Sequence, residues 1–124
     1  MTPPNATEPN LTELRESIAA FASARDWEQF HSPKNLSMAL ACEAGELMEH
    51  FLWLDPEESR ELLQNKEKKT KVSEELADVL IYALRFADIA GIAPAKAIAN
   101  KMKRNEERYP VEKAKGSHAK YNEL

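Results

Sequence analysis

Two of the most apolar stretches of this 124-residue chain are each interrupted by a pair of acids three residues apart. Glu43 and Glu46 fall inside the run from Leu36 to Leu54, and Glu75 and Asp78 fall among Val72, Leu76, Val79, Leu80 and Ala83. At about 100° per residue, Leu36, Leu40, Leu47 and Leu54 lie within about 40° of one another on a helix, and Glu43 lands about 20° from Leu36. Glu46 lies about 60° further round, beside Ala39 and His50. On the second helix Glu75, Asp78 and Tyr82 share one flank within roughly 60°. An ionised carboxylate in an apolar stripe is costly unless it is paired or coordinated. Antiparallel packing of the two helices would bring four such groups together, so the fold must supply positive charge between them. Two sources are open: a divalent cation, or a set of buried pairs with Lys or Arg. Hard oxygen donors, with neither Cys nor His in the pattern, suit Mg²⁺, with Mn²⁺ as a possible substitute, better than zinc. Other acidic pairs, such as Glu57-Glu58 with Glu61 or Glu106-Glu107, read as solvated faces.

The rest of the chain agrees with an all-α fold of four main helices forming a bundle. Ala, Leu and Glu number 48 against 12 for Val, Ile and Thr, and straight-chain residues lose less rotamer freedom in helices than β-branched ones. Met1–Asn10 holds three prolines and little to bury, which predicts a disordered lead-in over 1–10. Leu11, Leu14, Ile18 and Phe21 predict a first helix over about 11–26. Ser32-Pro33 reads as an N-cap followed by proline at the first helical position, opening a second helix that runs to about Leu54. Asp55-Pro56 stops it. A short helix over about 57–63 and a charged connection precede a long helix over about 68–90, which Gly91 closes. Pro94 opens the last main helix, and Tyr109-Pro110 ends it. The main domain thus covers 11–110, with a polar basic tail over 111–124.

Exclusions follow from what is missing. Three scattered glycines rule out a Gly-rich phosphate loop, and the single cysteine, Cys42, rules out an internal disulfide or a Cys-cluster metal site. Cys42 sits in an apolar run and reads as a small core residue. A net charge of −4 argues against a duplex nucleic-acid partner. No stretch is long and apolar enough for a membrane span, and the polar start lacks a basic leader, so a soluble, cytoplasmic protein is expected. Gly45, between the two glutamates, costs about 1 kcal/mol against alanine in a helix; close approach of another helix or of a metal-bound ligand would offset that.

Further candidates surround the acids. Lys101, Arg104, Asn105 and Arg108 lie within about 100° on the last main helix, a basic face that is either simply solvated or a phosphate clamp. Trp27, Trp53 and Tyr82 are the best candidates for stacking on a base, although in isolation each reads first as core. His31 and His50 read as structural or hydrogen-bonding groups rather than ligands.

Taken together, several blocks of the chain resemble the all-α MazG-like nucleotide pyrophosphohydrolases, with its dCTP pyrophosphatase branch the nearest. They are Arg25-Asp-Trp-Glu-Gln-Phe-His31, Pro33-Lys-Asn-Leu36, Glu43-Ala-Gly-Glu-Leu47, Glu74-Glu-Leu-Ala-Asp-Val-Leu-Ile-Tyr82, and Lys101-Met with Asn105 and Arg108-Tyr-Pro110. The resemblance runs from about residue 12 to the end. It implies hydrolysis of a nucleoside triphosphate to the monophosphate and pyrophosphate, with Mg²⁺ on Glu43, Glu46, Glu75 and Asp78. It further implies a base pocket using Trp27, His31, Trp53 and Tyr82, and a phosphate end using Lys101, Asn105, Arg108, Lys120 and Tyr121. A homotetramer completed by neighbouring chains belongs to the same implication. The charged 57–71 linker matches no motif of the family and leaves the pocket mouth undefined.

The second helix supports assembly independently, because Leu40, Ala41, Cys42, Ala44, Leu47, Met48, Phe51 and Leu52 cover most of its directions. One small bundle buries one stripe per helix, so the surplus predicts a dimer or a dimer of dimers, with the tetramer the working hypothesis. Two rivals remain. A ferritin-like di-metal oxidase needs two inward Glu-x-x-His motifs, and only Glu28 with His31 fits. A non-catalytic helical oligomerisation or regulatory module would pair its acids with Lys and Arg and bind no divalent metal.

Overall fold

The computed structural model describes residues 8–124, and among these every regular element is a helix. Six α-helices follow in order: α1 (Leu11–Ala24), α2 (Pro33–Glu49), α3 (Pro56–Leu62), α4 (Lys66–Ala90), α5 (Pro94–Arg108) and α6 (Val111–Ala114). Short 3₁₀ turns occupy Glu28–Phe30 and Tyr121–Glu123. Most of the expected lead-in, residues 1–7, lies outside the described residues. No helix among those described is long and apolar enough to cross a membrane.

Local chemistry sets the boundaries. Asn10 caps α1 by accepting from the Glu13 N–H. Ser32 caps α2 through the Asn35 N–H, with Pro33 as the first helical residue. Asp55 and Glu58 form a reciprocal capping box ahead of Pro56, and Asn65 caps α4. Gly91 closes α4 at φ 70°, a left-handed conformation that glycine adopts without a Cβ penalty.

The end of the second helix needs correction. Helix α2 ends at Glu49 rather than Leu54. Beyond it the chain tightens into i→i+3 turns, with Phe51 N–H on the Met48 carbonyl and Leu54 N–H on that of Phe51, which deliver Asp55 to its capping position. The polar basic segment over 111–124 carries α6 and the Tyr121–Glu123 turn.

The described chain forms two compact units, one reaching to Gly91 and the other running from Ile92 to Leu124. In the first, α2 packs along the 25-residue α4, and α1 packs on α4 beside it. Residues of α2 less open to solvent, Leu36, Leu40, Glu43 and Leu47, recur at alternating spacings of four and three. On α4, Val72, Glu75, Val79, Tyr82 and Phe86 do the same. This alternating spacing is that of a helix–helix seam, and it carries the acids inward. Leu36, at 1% exposure, anchors it, and Ala22 and Ala87 are also buried. Cys42, expected in the core, is exposed, because one residue of rotation from Glu43 takes it about 100° off the seam. Met38, Met48, Leu52, Leu76 and Leu80 are likewise exposed. A Cβ at Gly45 would meet nothing within 4 Å, so no close approach among the described residues accounts for this glycine.

In the second unit, Tyr121 packs on the end of α5. The Arg108 guanidinium lies 4.5 Å from the centre of its ring, and Tyr109 meets it edge-on at 6.2 Å.

Candidate functional site

The turn between α1 and α2 is built by the block from Arg25 to His31. Asp26 takes a left-handed φ of 54°, a conformation that Asp tolerates better than most residues. The Trp27 N–H then returns to the Ala22 carbonyl at 3.0 Å. Gln29 donates from Nε2 to the Asp26 backbone and side chain, and Asn35 Nδ2 ties the Phe30 carbonyl to the start of α2. The result sets Trp27 edge-on against Phe21, ring centres 5.6 Å apart.

Trp27 and His31 thereby face α4 across a cavity of about 220 Å³. Ile18, Phe21 and Ala22 of α1 and Asp78, Ile81, Tyr82 and Arg85 of α4 complete its lining. Asp78, Tyr82 and Arg85, at i, i+4 and i+7, share one helix face.

Asp78 also belongs to a second feature. One carboxylate oxygen from each of Glu43, Glu75 and Asp78 lies within 4.8 Å of the others. Oε2 of Glu43 and Oε2 of Glu75 are shut off from solvent and have no hydrogen-bond partner, a costly state for a carboxylate unless a cation completes it. Desolvation pushes the Glu43 carboxyl above its ordinary range, helped by the neighbouring Glu46 carboxyl and by the charges of Asp78 and Glu75. Glu75 is raised for the same reasons, again with desolvation first and Glu46 next, while His50 opposes the shift. Glu46 is exposed and stands against both, at the rim of the cluster. Three of the four acids singled out from the sequence are therefore together with Glu46 beside them, and no Lys or Arg is ion-paired to the four among the described residues. An all-oxygen, electron-rich set with two unpartnered buried oxygens fits a hard divalent cation.

Sequence reasoning missed Arg85. Its side chain is buried, at 4% residue exposure, and its Nε donates to His31 Nδ1 at 3.0 Å. Its Nη1 reaches Asp88 Oδ2 at 3.2 Å, and Asp88 also faces Arg15 of α1 at 3.8 Å. An arginine embedded in the apolar run Ile81–Ala87, one turn beyond Tyr82 on the acidic face, was the available signal. Desolvation and then the Arg85 charge hold His31 below the usual imidazole range, with Glu28 opposing.

Other candidates stand apart from the cavity lining. Trp53 is 89% exposed on the turns after α2. Lys101, Asn105, Arg108, Lys120 and Tyr121 belong to the second unit, where Arg108 and Tyr121 contact each other.

Comparison with known proteins bears directly on this arrangement. The chain is 45% identical to rat dCTP pyrophosphatase 1 over 118 residues, covering 94% of this chain and 69% of the relative. Human dCTP pyrophosphatase 1 is 42% identical over 117 residues, with the same coverage of 94% and 69%. The fold is similar to the crystal structure of a pyrophosphatase from Archaeoglobus fulgidus, with a TM-score of 0.76 and 39% identity over 83% of this chain and 94% of that one. Residues 38–124, which include all four acids, match the MazG-like family. Paired acids on two packed helices, a helical fold shared with a solved pyrophosphatase and this extended sequence identity converge on one result: the chain belongs to the MazG-like family.

Proposed function

We propose that this protein is a Mg²⁺-dependent hydrolase that cleaves (deoxy)nucleoside triphosphates between the α and β phosphorus atoms. The products are the monophosphate and pyrophosphate, the preferred substrate is dCTP or a base-modified dCTP, and the biological task is sanitation of the nucleotide pool. The observation that carries the reading is the double membership of Asp78, which joins the acidic cluster and also lines the aromatic cavity. A base held among Phe21, Trp27 and Tyr82 therefore leaves its phosphates beside the carboxylates. The names of the rat and human relatives point to the same reaction class.

Glu43, Glu46, Glu75 and Asp78 would hold Mg²⁺, or Mn²⁺ in its place. When bound, such a cation neutralises charge on the phosphates and makes an attacking water more acidic. The aromatic walls hold the base by stacking, which fixes the α-phosphorus relative to the acids. A carboxylate of the same set accepts the proton of the attacking water. Among the described residues no Ser, Thr or Cys lines the cavity, and direct attack by water is favoured over a covalent enzyme intermediate.

Lys101, Asn105, Arg108, Lys120 and Tyr121 are proposed to receive the pyrophosphate end, and Trp53 to contribute to the base pocket, in a homotetramer. The exposed Met38, Met48, Leu52, Leu76 and Leu80 support assembly, because so many large apolar side chains on two helices are unusual for a free surface.

Product analysis tests the reaction. With dCTP in ¹⁸O-labelled water, pyrophosphate and labelled dCMP are expected; orthophosphate as first product, or label in pyrophosphate, would overturn it. Comparing kcat/KM across the dNTPs, with 5-methyl-dCTP included, tests the base, and a preferred purine would refute the dCTP assignment.

A further inference from the structure

The aromatic walls of the cavity tolerate any base, since every base offers a π-face. Selection must come from polar groups at its edge. Apart from Asp78, which belongs to the acidic cluster, the charged or imidazole side chains of the lining are His31 and Arg85. Both are available only as donors there. Arginine has five N–H groups and no acceptor. Arg85 uses Nε–H on His31 and one Nη1–H on Asp88, which leaves N–H groups uncommitted among the described residues on a side chain that lines the cavity.

His31 is limited by that same contact. A neutral imidazole carries one donor nitrogen and one acceptor nitrogen. Its Nδ1 accepts from Arg85 at 3.0 Å, so the proton resides on Nε2. Reversal of the ring's tautomer would set two N–H groups against each other. The buried position of Arg85, tied to Asp88 and through it to Arg15 of α1, prevents the guanidinium from turning away. The lowered basicity of His31 agrees with a neutral ring.

We propose that Arg85 is a specificity-determining residue: it locks His31 as an Nε2–H donor beside its own free N–H groups, and this two-donor edge selects a base with two adjacent acceptors, cytosine through O2 and N3. Uracil and thymine fail the match because N3–H, a donor, stands between their carbonyls. Adenine's Hoogsteen edge sets a donor amine beside N7, whereas guanine offers adjacent O6 and N7 and is the competitor to exclude. A site built to hydrogen-bond a given edge rejects analogues that leave its buried groups unpaired.

This inference rests on the nucleotide reading above and is separable from it by measuring binding without turnover. The probes are α,β-imido analogues of dCTP, dUTP, dGTP and 3-deaza-dCTP, which lacks the N3 acceptor, titrated calorimetrically with Mg²⁺ present. Wild-type protein should bind the dCTP analogue at least tenfold more tightly than each of the others. Arg85→Ala should reduce the dCTP-over-dUTP preference at least fivefold. In ¹⁵N spectra of the free protein, His31 should show the Nε2–H tautomer, and Arg85→Ala should abolish that preference. Equal affinity for the 3-deaza analogue, tighter binding of the dGTP analogue, binding of none of the four, or an Nδ1–H tautomer in the wild type would each overturn the inference. Should Arg85→Ala fail to fold, the wild-type measurements decide alone. A protein that cleaves dCTP yet ignores the loss of N3 defeats this inference and leaves the proposed function standing; one that binds cytosine selectively yet cleaves no triphosphate does the reverse.

Discussion

Trp27 offers the sharpest test of the cavity, because its two roles have different experimental signatures. The side chain packs edge-on against Phe21 and is 41% exposed, so about three-fifths of it is withdrawn from solvent. With a tryptophan surface near 250 Å², Trp27→Ala would forfeit the burial of about 150 Å², worth about 3 kcal/mol after allowance for a compact unfolded chain. Loss of the edge-to-face contact adds about 1 kcal/mol. A total near 4 kcal/mol should lower Tm by roughly 10–20 °C for a chain of this size. The binding role is separate. Stacking on a base is worth about 1–3 kcal/mol, so KM for dCTP should rise about 5- to 150-fold while kcat changes little, since stacking holds the ground state and transition state alike. Trp27→Phe keeps a ring and should recover most of the lost affinity. Steady-state kinetics well below the lowered Tm, beside thermal melts of both variants, provide the assay. An unchanged KM in folded Trp27→Ala would refute base stacking at this position. A fall in kcat at constant KM would show instead that Trp27 acts by supporting Asp78.

Other perturbations address the acids and the assembly. Glu43→Gln, Glu46→Gln, Glu75→Gln and Asp78→Asn should each remove most activity while the protein remains folded, as judged by circular dichroism; near wild-type turnover at saturating Mg²⁺ in any of them would remove that residue from the set. Glu43→Gln should also leave the Tm of the metal-free protein unchanged or higher, because one repelling carboxylate is gone. The carboxyls of Glu43 and Glu75 are raised in the folded chain above the ordinary value of 4.5. Their stabilising contribution is therefore complete below that value and is lost as pH rises through the raised folded values. Metal-free protein should accordingly lose stability as pH climbs from about 4.5 toward neutrality, and Mg²⁺ should flatten that slope; a metal-free stability that rises with pH over this range would contradict the cluster. Leu80→Asp or Met48→Glu, both at exposed apolar positions, should reduce the mass found by light scattering with little loss of helicity, and an unaltered mass would show that assembly does not use this face.

Much of the first unit was legible in the chain itself. Ser32-Pro33 and Gly91 marked helix ends because each acts through its own backbone chemistry, and the structure uses both at the expected place, as it does Pro94 in the second unit, whereas Asp55-Pro56 opens α3 and does not end α2. The acid pairs were legible for a related reason. Helical periodicity fixes the angle of every side chain about its own axis, so Glu43 and Glu75 had to point with the apolar seam once the helices formed. Distances across helices are another matter. That Glu43, Glu75 and Asp78 form the close group while Glu46 stands at the rim depends on the register of α2 against α4. The exposure of Cys42 and Trp53 depends on which face meets a neighbour and where α2 ends. The contact from Arg85 to His31 joins residues 54 apart in sequence, and neither residue's local pattern encodes the other. Local propensity and periodicity act within a few residues along one helix, and they determined the elements and the facing of the acids. Packing brings together groups that are distant along the chain, and only the tertiary structure decided which of them meet at the cavity.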